Sequence, residues 1–200
     1  MRDLLLATSN PHKVEEFRAI FSDLPYRLLS LQDIQLDMDV EETGTTFREN
    51  AELKALAYAK ASGLLSLADD SGLEIDALGG APGVYSARFG GLDLSYPERF
   101  RLIFERLKDV PAEQRTARFR CVIMIADPSG YTKSADGTVE GLIIDPPRGP
   151  NGFGYDPIFY LPDLGKTSAE LDPAVKNRIS HRGRAAEESR PLLAAWPLSC

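Results

Sequence analysis

The run Leu67-Ala68-Asp69-Asp70-Ser71-Gly72 holds the densest chemistry in this 200-residue chain. Two adjacent carboxylates close an apolar stretch, Leu64 to Ala68, and the Ser-Gly that follows predicts a turn. A carboxylate pair at a strand end can hold a divalent cation and activate a water. The same residues also make an ordinary polar turn, so the assignment depends on what else the chain supplies.

Four other segments bear on it. Thr8-Ser9-Asn10-Pro11-His12-Lys13 lies between a predicted strand and a predicted helix. A helix N-terminus in that setting offers amides and partial positive charge to a phosphate, and Lys13 adds a full charge. An N-capped helix with a surface lysine explains the same residues, and no Gly-x-x-x-x-Gly-Lys-Ser/Thr phosphate loop occurs. Glu41 and Glu42 precede a long helix, where they favour the helix dipole or supply a second metal carboxylate. In Asn151-Gly152-Phe153-Gly154-Tyr155-Asp156-Pro157, two aromatics sit among glycines. Glycines allow close backbone approach and an aromatic face can stack on a base, although a turn with core aromatics fits equally. Lys176, Arg178, His181, Arg182 and Arg184 gather positive charge in an acidic protein, as a charged helix face or as a counterpart to a polyphosphate.

The elements that must position these groups follow from patterning. Leu4 to Ala7 is a short strand. Asn10 and Pro11 suit N-cap and N1 of a helix whose apolar face is Val14, Phe17, Ile20 and Phe21. Tyr26 to Leu31 predicts a second strand, and residues 37–44 are acidic and irregular. A long helix is predicted from about Phe47 to Ser62, opened by a Thr46/Glu49 capping box and closed by Gly63. It carries Phe47, Ala51, Lys54, Ala55 and Tyr58 on one side, so Lys54 either snorkels or points into a cleft. Leu64 to Ala68 is the next strand, and Leu73 to Ala87 a turn-rich strand or loop. A Ser95/Glu98 capping box precedes a helix to about Lys108. Alternation from Ala117 to Ile125 predicts a strand, Asp127 to Gly130 a hairpin turn, and Tyr131 to Ser134 and Val139 to Ile144 two further strands. One or two helices fill Asp172 to Arg190, and Pro191 should end or kink the last. Interleaved strands and helices with one hairpin indicate an α/β protein with a mixed sheet.

Bulk properties narrow the function. A net charge of −7 argues against broad binding to nucleic acid or an anionic membrane, yet leaves room for a polyanionic small substrate where positive charge is local. No apolar run long enough for a membrane helix occurs, and the Met1-Arg2-Asp3-Leu4 start lacks a signal-peptide core. Cys121 reads as a buried thiol and Cys200 as an exposed tail thiol. A cytoplasmic protein is expected.

Taken together, these segments resemble the inosine triphosphate pyrophosphatase family, the house-cleaning enzymes for non-standard purine nucleotides. The likeness is collinear over nearly the whole chain. It runs through Thr8-Ser9-Asn10-x-x-Lys13 and Glu42-Thr43-Gly44-x-Thr46-Phe47-x-Glu49-Asn50-Ala51-x-x-Lys54-Ala55. It continues through Ala68-Asp69-Asp70-Ser71-Gly72-Leu73 and Pro82-Gly83-Val84-Tyr85-Ser86-Ala87-Arg88. It closes with Gly152-Phe153-Gly154-Tyr155-Asp156-Pro157 and Ser180-His181-Arg182-Gly183.

The resemblance implies Mg²⁺-dependent hydrolysis of ITP, dITP and XTP to the monophosphate and pyrophosphate. It implies a homodimer of single-domain chains, residues 1–200 here. The implied fold is an elongated two-lobed α/β structure around a long mixed sheet with flanking helices and the nucleotide cleft between lobes. Thr8, Ser9, Asn10, Pro11, His12 and Lys13 would then hold phosphates. Asp70 would be general base and metal ligand, supported by Asp69, with Glu41 or Glu42 as the other metal carboxylate. Ser71, Lys54 and Lys176 would contact phosphates, with Lys54 part of the catalytic set. Phe153, Gly154, Tyr155, Asp156, His181 and Arg182 would form the base pocket, with Phe153 as stacking platform. Asn151, where many relatives carry Gly, and the Pro191-interrupted ending depart from the family pattern.

The chemistry is coherent with that set. Each well-placed lysine contributes about 4 kcal/mol of raw attraction at 4 Å with an effective dielectric near 20. Donors opposite purine position 6, from Arg182 or backbone amides, would be left unpaired by adenine, which discriminates by up to about 10⁴–10⁵. Two alternatives remain: a pyrophosphatase for modified pyrimidine or ordinary triphosphates, separated by base preference, and a nucleotide-binding module without turnover, which has no need of a general base.

Overall fold

The helix-start signals read from the sequence are in place in the computed structural model, which describes residues 1–196. Asn10 caps helix α1 (Pro11–Ile20), its side chain accepting from the His12 amide. Helix α2 (Phe47–Ser62) opens with the Thr46/Glu49 capping box and closes at Gly63 in the left-handed region. Helix α3 (Tyr96–Arg106) opens with the Ser95/Glu98 box. These caps satisfy first-turn amides that would otherwise lack partners.

Seven strands form one mixed sheet in the order β2-β1-β3-β4-β5-β6-β7. They are β1 (Arg2–Leu6), β2 (Tyr26–Ser30), β3 (Leu65–Ile75), β4 (Thr116–Ala126), β5 (Thr132–Ile143), β6 (Phe159–Leu161) and β7 (Lys166–Thr167). β1 pairs in parallel with β2 and β3, whereas β6 pairs antiparallel with β5 and β7. Short connections built on 3₁₀ turns fill the Gly- and Pro-rich stretches.

Three expectations need correction. No turn follows Asp69-Asp70: β3 runs straight through to Ile75. Leu73 and Ile75 are fully buried, and their burial holds the polar residues before them in extended backbone. The two strands expected after the hairpin are one, β5, because Ala135 and Gly137 continue the alternation of buried positions across the polar residues between them. Of the two outcomes expected at Pro191, an end or a kink, the helix end does not occur: α5 (His181–Ala194) contains the proline. Leu193 packs at 1% exposure, its carbonyl accepts the Tyr26 hydroxyl at 2.9 Å, and Arg190 bonds the Ile20 carbonyl at 2.7 Å. That packing offsets the lost helix hydrogen bond. The other helix of this region is α4 (Pro173–Ile179). Cys200 and the segment 197–199 lie outside the described residues.

The chain divides into two compact units. The first contains Met1–Asp70, Cys121–Gly137 and the segment from Arg182 onward; the second contains Ser71–Arg120 and Thr138–His181. The first has a core of Leu4, Leu6, Phe17, Phe21, Leu65, Leu67, Ile123 and Ile125, with Ala185, Ala186 and Leu193 from α5. The α1 face expected from Val14, Phe17, Ile20 and Phe21 packs on this core. The second has its own core, with Leu73, Ile75, Phe100, Ile103, Leu107, Phe119, Phe159 and Tyr155. No helix among the described residues is long and apolar enough to cross a membrane.

Candidate active site

Successive residues of a strand point to opposite faces, so unbroken extension of β3 separates the two adjacent carboxylates. Asp69 and Asp70 therefore make different close contacts within the first unit, with Lys13 nearest Asp69 and Lys54 nearest Asp70, while the charges of both lysines are felt across the pair.

Asp70 faces α2. Asn50 Nδ2 donates to Asp70 Oδ2 at 3.0 Å, and Lys54 Nζ lies 3.9 Å from Oδ1. Asn50 and Lys54 are one helical turn apart and share a face. Lys54 also pairs with Glu42 Oε1 at 2.5 Å, so one ammonium serves two carboxylates. Glu41 is exposed, whereas Glu42 is half-buried and turned to Lys54. Burial pushes the Asp70 carboxyl above its ordinary range, Lys54 and Lys13 oppose the shift, and the Glu42 charge adds to it. Burial pulls the Lys54 ammonium down, but Asp70, Asp69 and Glu42 together hold it above its ordinary value. A carboxylate so placed is closer to neutral pH than a free aspartate, which suits a general base.

Asp69, 1% exposed, faces the core side of β3. Lys13 Nζ lies 2.9 Å from its Oδ2, Arg182 Nη2 3.6 Å, and the buried Cys121 Sγ 3.9 Å. Arg182 also pairs with Glu16 at 2.5 Å and lies over the Phe17 ring. Burial pulls the Arg182 guanidinium down, and the charges of Asp69 and Glu16 more than restore it. Arg182 is 2% exposed and is thus a buried counter-ion, on the opposite side of β3 from Asp70.

A magnesium ion is implied by the resemblance, and the donor set fits one. Glu42 and Asp70 supply hard oxygen ligands, close enough for the Glu42 charge to raise the Asp70 carboxyl. Mg²⁺ needs only one or two carboxylates, since waters and phosphate complete its shell. Among the described residues no group of three or more His, Cys, Asp or Glu could hold a metal alone.

The Thr8 to Lys13 segment sits where β1 ends and α1 begins. Ala7 N bonds the Leu67 carbonyl at 2.8 Å, which ties this junction to β3 just before the carboxylates. Thr8 Oγ1 accepts from Asn10 N, and Asn10 Oδ1 from His12 N. The junction offers fewer amides than the sequence suggested, because Pro11 has none and the Asn10 side chain holds that of His12. Ser9 and His12 are exposed, and Lys13 is half-buried against Asp69.

In the second unit, Asp156 is 3% exposed and organises the glycine loop. Its Oδ2 accepts from Phe153 N at 2.9 Å and from Lys176 Nζ at 2.6 Å. Lys176 also lies 4.8 Å over the Phe153 ring. Gly152 has φ +73°, and a Cβ there would fall 2.2 Å from Asp156 Oδ2, so only glycine allows this approach. Asn151 Nδ2 bonds the Leu171 carbonyl, a tether that glycine at this position would lack. Gly154 sits beside the Tyr96 ring. Tyr155 is buried, its hydroxyl on the Ser86 carbonyl at 2.8 Å and its ring edge-on to Tyr96. His181 stacks on Phe119 at 4.7 Å. Asp156, Lys176, Ser180 and His181 line one pocket with Val139, Leu161, Ser168, Leu171 and Ile179. Ser71 lies on β3 next to Asp70.

Sequence reasoning gave no role to Asn50, Glu16 or Ser86. Asn50 had a usable signal, since it stands four residues before Lys54 on one helix face. Glu16 had none, because its partner Arg182 is remote in sequence. Ser86 Oγ accepts from Leu73 N at 2.9 Å and donates to the Gly83 carbonyl, a structural role within the second unit.

Comparison with known proteins gives a consistent picture. The Ham1 family profile matches residues 4–192. A dITP/XTP pyrophosphatase of Bacillus subtilis is 48% identical over 195 residues, 98% of this chain and 98% of its own length. One from Thermus thermophilus is 51% identical over 193 residues, 96% of this chain and 91% of its own. A HAM1 protein from Coxiella burnetii has a similar structure, with TM-score 0.88, 43% identity, and coverage of 97% of this chain and 99% of its own. The Staphylococcus aureus Ham1 protein gives TM-score 0.86 at 43% identity over 98% of this chain and 100% of its own.

Proposed function

The chain belongs to the Ham1 family, and we propose that it hydrolyses ITP, dITP and XTP to the monophosphate and pyrophosphate, removing non-standard purines from the nucleotide pool. The carrying observation is the partly buried Glu42–Lys54–Asp70 cluster, two hard carboxylates gathered on one ammonium. A protein that only bound nucleotide would have no need of a carboxyl raised above its ordinary range.

Mg²⁺, when bound by Glu42 and Asp70, would neutralise phosphate charge and orient the leaving pyrophosphate. Asp70 takes the proton from the attacking water as the water oxygen bonds to the α-phosphorus and the bond from that phosphorus to the α–β bridging oxygen breaks, the bridging oxygen leaving with pyrophosphate. Lys54 stays charged and meets the anionic oxygens that develop in that addition. Thr8, Ser9, Asn10 and Lys13 hold phosphate, and Asp69 keeps the Lys13 ammonium in place for it. Phe153 stacks on the purine while the Asp156–Lys176 pair fixes its loop. With the Arg182 guanidinium taken by Glu16 and Asp69, backbone amides are the donors opposite position 6 of the base. The homodimer and cytoplasmic location implied by the family belong to the same proposal.

The test is pyrophosphate release from dITP, XTP, dGTP and dATP at mildly alkaline pH, with Mg²⁺ and with chelator. Metal-dependent release from dITP and XTP, at least a hundredfold faster than from the standard nucleotides, supports the proposal. Equal rates on all four overturn the base preference, and no release on any overturns the activity.

A further inference from the structure

Asn50 is fully buried, yet both ends of its side-chain amide are used. Nδ2 donates to Asp70 Oδ2 at 3.0 Å, and Oδ1 accepts from the Gly44 amide at 2.8 Å. Gly44 follows Glu42 by two residues in an irregular loop that precedes α2. The approach is close: a Cβ on Gly44 would fall 2.6 Å from Asn50 Oδ1 and 2.7 Å from Glu49 Cβ. The loop can therefore come this near only with glycine at that position. Three residues thus form one chain of contacts, from the Glu42 loop through a buried amide to the Asp70 carboxylate.

The chemistry at each end fixes the residue type. Asp70 needs a donor and the Gly44 amide needs an acceptor. Asparagine supplies one of each at the right length. Aspartate accepts at both ends and would oppose Asp70; leucine does neither and would leave two polar groups without their partner. Lys54, one turn on, attracts Glu42 and Asp70 without directing either, since an ammonium is a rotatable point charge. Asn50 is directional.

We infer that Asn50 is a positioning residue that fixes the spacing of the Glu42 and Asp70 carboxylates by tying the Glu42 loop to Asp70 through Gly44. This rests on the proposed reading that these two carboxylates hold the metal. Two predictions distinguish it from a generic packing role. Asn50→Asp and Gly44→Ala act at opposite ends of one link, so they share a signature: kcat for dITP falls about 10- to 100-fold, while its KM stays within threefold. Their effects are also non-additive, because once the link is broken at one end the other has nothing to transmit.

The experiment measures dITP turnover and, separately, Mn²⁺ binding by electron paramagnetic resonance on nucleotide-free protein, for wild type, both single variants and the double. Circular dichroism checks folding; Gly44→Ala, outside the core, keeps the test open if Asn50→Asp does not fold. Mn²⁺ binding at least tenfold weaker in each variant, with the double no worse than the weaker single, supports the inference. Binding equal to wild type in either folded variant, or losses that multiply in the double, overturns it. The Mn²⁺ readout is independent of turnover, so a wild type that binds Mn²⁺ tightly but hydrolyses no nucleotide overturns the proposed activity and leaves the link judged on its own.

Discussion

Replacing Arg182 with methionine separates two roles for a residue that the family resemblance assigns to the base. The guanidinium is 2% exposed and answers two carboxylates, Glu16 at 2.5 Å and Asp69 at 3.6 Å. Methionine fills a similar volume without charge, so Asp69, fully buried at its side chain, loses the Arg182 charge while keeping Lys13 at 2.9 Å. Removing one partner of a buried ion pair costs about 3–5 kcal/mol, because the remaining charge stays desolvated. For a chain of this size each kcal/mol moves the midpoint of thermal unfolding by about 2–4 °C. The expected fall is about 6–20 °C, read by differential scanning calorimetry near pH 7. Glu16→Gln should fall less, since it removes one of two carboxylates and leaves the Arg182–Asp69 contact. The ratio of ITP to ATP turnover should stay within threefold of wild type in both. A fall below about 2 °C for Arg182→Met, with a collapsed ITP preference, would refute this reasoning and return Arg182 to the base pocket.

Two further outcomes follow from the same geometry. Burial raises the Asp70 carboxyl, so the native state holds the proton more tightly than the unfolded chain. Stability is then lost as pH rises from the ordinary value of 3.8 through the raised native one, and stays lost above it. Asp70→Asn should therefore stabilise metal-free protein more at pH 7 than at pH 4, and a larger gain at pH 4 would contradict the shift. Gly152→Ala forces φ +73° on a side chain whose Cβ meets the buried Asp156. At about 1–2 kcal/mol for the backbone, the midpoint should drop about 2–8 °C, with a raised KM for dITP. Unchanged midpoint and kinetics would show that the loop is not held as described.

Much of this fold was legible because local signals and tertiary packing agree. The Thr46/Glu49 box and Gly63 delimit α2 from Phe47 to Ser62, as read from the sequence. The readings failed where burial overrode local chemistry. Asp-Asp-Ser-Gly has turn composition, yet β3 passes through it because buried Leu73 and Ile75 carry the strand on. Pro191 sits inside α5 because Leu193 and Arg190 anchor the turn around it. At the site, the residue types were readable and their pairings were not. No spacing rule links Arg182 to Glu16, which are 166 residues apart. Nor could spacing choose between Glu41 and Glu42, whose difference is the side to which the loop turns each of them.

The central claim is that Asp70 activates a water that attacks the α-phosphorus. Hydrolysis of dITP in ¹⁸O-labelled water, with the products resolved by mass spectrometry, tests it most directly. One labelled oxygen in the deoxyinosine monophosphate, unlabelled pyrophosphate, and turnover at least a thousandfold lower in folded Asp70→Asn is the predicted result. Label in pyrophosphate or in free phosphate, or an Asp70→Asn rate within tenfold of wild type, would contradict it.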